Sequence, residues 1–397
     1  MESTNNPIQN NFINAKYDLI TRNLQEMFGN EEIKNIIQER PLSIYWGTAP
    51  TGRIHIGYFI PMLKIADFLD AGCHVKILLA DLHAYLDNMK SSLEIINLRT
   101  EYYKTMIEAM LKSLNVDISK LEFVKGTSFQ LSPSYTLDVY KAHSMVTVNQ
   151  AINAGSQVVK QTEHPIMNSL LYPTLQCLDE QYLNIDVFFG GIDQRKIVVH
   201  SRNLLPKLGY RKRIHLLNEL VPGIRFIKKE TDGDSVNVEQ KNTDNENKVE
   251  VEIDNKVDSK VDSKVNDEIK DKMSASDINS KIDLLDTRGE LKNKINKAYC
   301  LPMDIDDNSL MVITDKIIFP ILHRLNEKFV INRKEKFGGP VTYDNIDDMK
   351  NDFKVDKLYP TDFKLGVLDM FDKILTPIRK TFEMEQNKNL VKKAYPK

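Results

Sequence analysis

The feature that most constrains the fold is a strand, a turn, a helix and a second strand read in one run between residues 42 and 80. Leu42-Ser43-Ile44-Tyr45-Trp46-Gly47 is short and apolar, bounded by Pro41 and by the Pro50-Thr51-Gly52 turn, the pattern of a buried strand. From Tyr58 to Leu69, the residues Phe59, Met62, Leu63, Ala66 and Leu69 share one helical face. Pro61 falls in the first turn, where a missing N–H is harmless, and Gly72 stops the helix. Val75-Lys76-Ile77-Leu78-Leu79-Ala80 is the second strand. A further apolar strand, Ile185-Asp186-Val187-Phe188-Phe189, runs through Gly190-Gly191 into a helix from Asp193. Strands alternating with helices predict an α/β fold with a parallel sheet and ligands at the strand C-terminal ends.

His55-Ile56-Gly57-Tyr58 opens the first of these helices directly after the turn. Exposed N–H groups and the positive end of the macrodipole favour phosphate there. Thr48, Thr51, His55 and the backbone at Gly47 and Gly57 are candidate donors along a phosphate chain. Lys272-Met273-Ser274-Ala275-Ser276, beyond a long polar insert, offers a lysine to a pyrophosphate leaving group from the opposite side. Activating a carboxylic acid with ATP needs a phosphate cradle, an oriented carboxylate and stabilisation of the leaving pyrophosphate, but no general base. Either string alone is weak; together they read as two halves of an adenylate-forming site.

With 397 residues, 41% hydrophobic and 28% charged, the chain is long enough for two or three domains. Its net charge of −2 gives no overall polyanion-binding footprint. The last 27 residues, however, carry seven Lys or Arg against three acids, a local basic patch. Three distant cysteines fit neither a disulfide framework nor a zinc site. With no signal pattern and no run of about 18 apolar residues, a cytoplasmic protein without a membrane span is expected.

Residues 1–40 read as N-terminal helices, and 41–226 as the catalytic domain. Residues 228–270 hold 13 acidic and 8 basic side chains, and no Leu, Phe, Tyr or Trp occurs from Ile227 to Asp283. That composition predicts a disordered, low-complexity loop at 227–271, with a charged helical extension or a partner-docking segment as the alternative. Residues 272–290 are then a catalytic loop and linker. Periodicity at Leu284, Leu285, Leu291, Ile295 and Ala298, then over Met311 to Leu325 and Phe363 to Ile378, predicts a mostly helical domain at 291–397.

These motifs resemble the tyrosyl-tRNA synthetases of the archaeal and eukaryotic cytosolic type, which are class I aminoacyl-tRNA synthetases. The resemblance rests on Tyr45 to Thr48, Gly52, His55 to Tyr58, Leu79 to Leu86, Tyr172 to Gln176 with Asp179, Gly190 to Lys196, Lys272 to Ser276 and Lys336 to Gly339. It implies a Rossmann-like catalytic domain, with a dimer interface around residues 130–170 and a C-terminal helical anticodon-binding domain. By the same resemblance Tyr45 and Asp179 hold the substrate phenol, and Tyr172, Gln176 and Gln194 its ammonium and carboxylate end. Gly191 and Asp193 belong to the ATP site, with Asp193 on the ribose, and Lys272, Ser274 and Ser276 form the catalytic loop. Phe337 would stack on the first anticodon base and Asp362 accept hydrogen bonds from it. Independently of the family, Tyr172, Gln176 and Asp179 have i, i+4, i+7 spacing and share a helix face.

The resemblance implies L-tyrosine, ATP and tRNA(Tyr) as substrates and a homodimer. Magnesium would arrive with ATP, held by phosphate oxygens and water, with no structural metal in the protein. Rejection of phenylalanine, for which these synthetases are the standard worked example, follows from burying polar groups that only a phenol can pair. Two positions depart from the family pattern: Tyr58 replaces the last histidine of the first motif and Ala275 the second lysine of the loop. Rival readings are a tryptophanyl-tRNA synthetase, a simpler nucleotidyl transferase and an RNA-binding protein that keeps the scaffold without catalysis.

Overall fold

The computed structural model describes residues 7–87, 91–158, 166–226, 272–273 and 281–396. The 227–271 insert and Ser274, Ala275 and Ser276 lie outside the described residues. Helix α1 (Pro7–Thr21) leads into strand β1 (Glu26–Phe28) and helix α2 (Ile33–Glu39). Then follow β2 (Ser43–Thr48), α3 (Phe59–Asp70), β3 (His74–Leu79), α4 (Asp81–Leu86), α5 (Leu93–Ser113) and β4 (Leu121–Lys125). Helices α6 (Pro133–His143), α7 (Val148–Gly155) and α8 (Met167–Tyr182) precede β5 (Val187–Gly191), α9 (Arg195–Lys207) and β6 (Ile214–Asn218).

The sheet order is β1-β6-β5-β2-β3-β4, parallel except for the antiparallel edge strand β1. Strand order reverses between β2 and β5, so the crevice at their C-terminal ends is the switch point where such sheets take ligands. Alternation sorts the side chains onto two covered faces. Ile44, Trp46, Ile77 and Phe189 join the core under α3 and α5, while Tyr45, Leu78, Phe188 and Leu217 face the α8 and α9 side.

The C-terminal part holds α10 (Arg288–Lys297), α11 (Ser309–Ile313), a π-helical turn at Thr314–Ile318 and α12 (Phe319–Arg324). The hairpin β7 (Phe329–Ile331) and β8 (Val341–Tyr343) follows, then α13 (Ile346–Lys354), α14 (Pro360–Glu383) and α15 (Glu385–Ala394). Thr287 and Glu290 form a reciprocal capping box that starts α10.

Three expectations change. Leu24 to Phe28 was expected to be helical, but Asn23 takes a left-handed conformation (φ 58°) that ends α1, and Glu26–Phe28 pairs with Leu217, Leu216 and His215. Residues 1–40 are therefore not helices alone, since β1 belongs to the catalytic sheet. Ile282 to Leu285 is not the start of a helix either: it bridges to Ile54–Ile56 at Asp283 and then turns, with Ile56 N bonded to Ile282 O and Leu284 N to Ile54 O. Finally, the apolar core does not break near residue 290. One cluster runs from Trp46 and Phe59 to Phe371 and Phe382, and Tyr102 meets Phe382 at 5.7 Å between ring centroids.

Candidate active site

A cavity of about 1030 Å³ opens at the switch point. It is lined by Tyr45, Gly47, Thr48, Thr51, His55, Gly57, Tyr172, Gln176, Asp179, Gly191, Asp193, Gln194 and Lys272, residues brought together from β2, α8, β5 and the loops beyond them.

Its closed end is polar and buried. Asp179, projecting from α8, is fully buried, and Tyr45, on β2, is 1% exposed. Oδ1 of Asp179 accepts from Gln130 Nε2 at 2.7 Å and from Tyr135 Oη at 2.9 Å, whereas its Oδ2 has no partner. Burial raises this carboxyl to about 7, against the opposing pull of Gln130 and Tyr135. Burial, reinforced by the charges of Asp179 and Glu180, holds the Tyr45 phenol well above its ordinary value. Tyr172 lies one helical turn and more before Asp179, and Gln176 donates to Gln194 Oε1 at 3.0 Å, joining α8 to the turn after β5.

The open end is assembled from loops. His55 precedes the short 3-10 turn Ile56–Tyr58 that leads into α3, and its Nδ1 accepts from Gly57 N at 3.2 Å. The Gly57 N–H is thus engaged by the His55 ring in this structure. The same bond leaves the proton on Nε2 of a neutral ring, because burial and the charges of Lys281 and Lys272 pull His55 down to about 3. A side chain at Gly57 would put Cβ 2.9 Å from the His55 ring, so glycine is what lets the imidazole fold back. At Gly191, likewise, a Cβ would lie 2.6 Å from Asp193 Oδ1.

Lys272 enters from the far wall. Lys272 and Pro222 form a β-bridge, Met273 N bonds Val221 O, and Lys272 Nζ lies 2.8 Å from Asp193 Oδ2. Tyr58, at the departure from the family pattern, puts its hydroxyl 3.2 Å from Thr48 Oγ1.

The sequence reading missed Gln130, Tyr135 and His83 at the closed end, which come from segments 44 or more residues before Asp179. It also missed Lys281 and Asp283 behind His55, where Arg53 pairs with Asp283 at 3.0 Å. His83 stands inside the Leu79 to Leu86 motif, which marked the segment but gave the residue no role; no spacing signal ties the others to the motifs they support.

Phe337 and Asp362 do not line the cavity. Phe337 is 60% exposed, with Lys336 Nζ 4.8 Å from its ring centroid, so it is not a core aromatic. Arg333 donates to Gly339 O and pairs with Asp362 at 3.6 Å, which holds the 335–339 turn near the start of α14. Among the described residues no three His, Cys, Asp or Glu side chains gather to hold a metal ion, and no helix is long and apolar enough to cross a membrane.

The family of class I tRNA synthetases for tryptophan and tyrosine matches residues 37–230 and 266–376. The chain is 46% identical over 381 residues to a cytoplasmic tyrosine–tRNA ligase of Danio rerio, covering 96% of this chain and 63% of that one. It is 44% identical to the cytoplasmic tyrosine–tRNA ligase of Saccharomyces cerevisiae, covering 96% and 88%. The chain therefore spans slightly less than two thirds of the vertebrate relatives it matches. Among solved structures it resembles the tyrosyl-tRNA synthetase of Archaeoglobus fulgidus complexed with L-tyrosine, with a TM-score of 0.74, 32% identity, and 93% and 99% of the two chains covered.

Proposed function

The chain belongs to the class I tRNA synthetases of the tryptophan and tyrosine group, and we propose that it joins L-tyrosine to ATP and passes the tyrosyl group to tRNA(Tyr). The observation that carries this reading is the fully buried Asp179 with an unpartnered Oδ2 beside Tyr45, in one cavity with His55 and Lys272. A phenol answers such a site with both a donor and an acceptor. An indole N–H offers only a donor, which leaves the Tyr45 hydroxyl unpaired.

In the first step the tyrosine carboxylate attacks the α-phosphorus and pyrophosphate leaves. Gln176 and Gln194 orient the amino-acid end, while Thr48, Thr51 and the Nε2–H of His55 line the phosphate path. Lys272 neutralises the charge that builds on pyrophosphate. In the free protein it rests on Asp193, so ATP exchanges that ion pair for two contacts, the ribose on Asp193 and the phosphates on Lys272. Magnesium, brought by ATP, would add further neutralisation of phosphate charge, with no residue of this chain assigned to hold it. In the second step a hydroxyl of the terminal tRNA ribose attacks the adenylate carbonyl and AMP leaves.

The exposed Phe337, in the turn that Arg333 ties to Asp362, suits stacking and edge reading of an anticodon base, and the basic C-terminal residues suit phosphate contacts. Leu137, Tyr140, Met145 and Val148 stand exposed on and between α6 and α7, an apolar face suited to a second copy of the chain. Its relatives are named cytoplasmic, and we place this protein in the same compartment. Pyrophosphate exchange by the purified protein, run with tyrosine, phenylalanine and tryptophan, tests the assignment. Exchange with tyrosine is expected; exchange with tryptophan alone, or with none of the three, would remove it.

A further inference from the structure

Asp179 is not alone in lacking a partner. His83 Nε2 and Gln130 Oε1 are also buried and unpaired, and both belong to the same cluster. His83 lies on α4, 2% exposed, and lines the cavity with Asp179 and Tyr45. Buried polar atoms without partners are uncommon, and several around one cavity end point to a ligand that completes them.

The protonation of His83 follows from its neighbours. Gln130 Nε2 donates to Asp179 Oδ1 at 2.7 Å, which fixes the amide orientation, and the same nitrogen lies 3.4 Å from His83 Nδ1. An amide nitrogen only donates, so Nδ1 accepts. Burial pulls the ring down to about 4 against the opposing pull of the Tyr172 carbonyl, which lies outside hydrogen-bond geometry of Nε2, so His83 is neutral near pH 7 and Nε2 carries its one N–H. The edge of the Tyr172 ring, 4.6 Å away at 83°, holds the imidazole in place.

Nε2 stands 3.9 Å from Asp179 Oδ2. That is too long for a direct hydrogen bond and is spanned by one oxygen about 2.8 Å from each. Resting on the proposed tyrosine site, we infer that His83 is a specificity-determining residue whose Nε2–H donates to the substrate's phenol oxygen. The phenol O–H donates to Asp179 Oδ2 and the phenol oxygen accepts from His83 and from Tyr45. Phenylalanine leaves all three groups unpaired.

The test uses the full chain. If the wild-type protein shows no tyrosine-dependent exchange, the proposed function fails and this inference falls with it. Given that exchange, His83→Leu should lower kcat/KM for tyrosine about tenfold or more, mainly through KM, and leave phenylalanine nearly unchanged. His83→Gln keeps an N–H donor and should recover most of the ratio. Equal losses with both amino acids would overturn the inference, because His83 would then support the fold or hold a water. Nitrogen NMR of histidine-labelled wild-type protein is independent of variant folding. An Nε2–H tautomer that shifts with tyrosine and not with phenylalanine is expected; an Nδ1–H tautomer, or no tyrosine-specific shift, overturns it.

Discussion

The two ends of the cavity are built on opposite principles. At the closed end Asp179, Tyr45 and His83 sit on regular elements, are at most 2% exposed, and are held by Gln130, Tyr135 and the Tyr172 ring before any ligand arrives. At the open end the groups proposed to meet phosphate come from the end of β2, the turn after it, the entry to a 3-10 turn and a β-bridge, and Lys272 remains about one-third exposed and paired to Asp193. A preformed buried end selects, because a misfit substrate meets polar groups that cannot rearrange. An end that must exchange an internal ion pair for ligand contacts turns over. Selection should therefore appear in KM and catalysis in kcat, and each end can be perturbed separately.

The largest expected effect is at the open end. Lys272→Ala removes a cation from the developing pyrophosphate charge and should lower the rate of adenylate formation by about 10²- to 10³-fold, the range for loss of one preorganised electrostatic contact. Tyrosine binding without nucleotide should be unchanged. If calorimetry showed tyrosine affinity falling in parallel with the rate, the ends would not be separable. A smaller effect is expected at the closed end. Asp179→Asn keeps the shape but exchanges a charged acceptor for a neutral amide, and kcat/KM for tyrosine should fall by about 10- to 100-fold. Phenylalanine should hardly change. Equal losses in kcat for both amino acids would assign Asp179 to the general integrity of α8.

How much of this was legible in the sequence divides along the same line. The β2–α3–β3 unit, the Asp179 face of α8 and the two motifs at the open end announce themselves by local periodicity and turn chemistry, which operate over a few residues. Residues that complete the closed end arrive through tertiary folding: Tyr135 and Gln130 meet Asp179 across 44 and 49 positions. The pairing of Ile282 to Leu284 with Ile54 to Ile56 spans more than two hundred residues. Strand β1 was hidden for a different reason. Leu24, Met27 and Phe28 fit a helical stripe, and only Asn23 in the left-handed region turns the chain toward β6.

The smallest expected effect separates the ends by pH. Asp179, at the closed end, is placed to titrate near neutrality, at about 7. His55 and His83, at about 3 and about 4, are already neutral, and Tyr45 and Tyr135 lie well above the range. In an unfolded chain an aspartate titrates near 3.9, so between roughly pH 4 and pH 7 the folded protein holds a proton that the unfolded chain has released. The stability from that proton is complete below about pH 4 and is lost as pH rises through 7. Tyrosine capture runs the other way, since the ionised carboxylate is the stronger acceptor for the phenol. Tyrosine affinity measured without nucleotide should therefore weaken by at most about tenfold from pH 8 to pH 6, the limit for one group titrating near 7, while stability to urea rises. Phenylalanine binding should lack the limb, and Asp179→Asn should remove it from both measurements. If the affinity limb persisted in that variant, another group would be responsible, and the closed end would lose its claim to be the part of the cavity that senses the phenol.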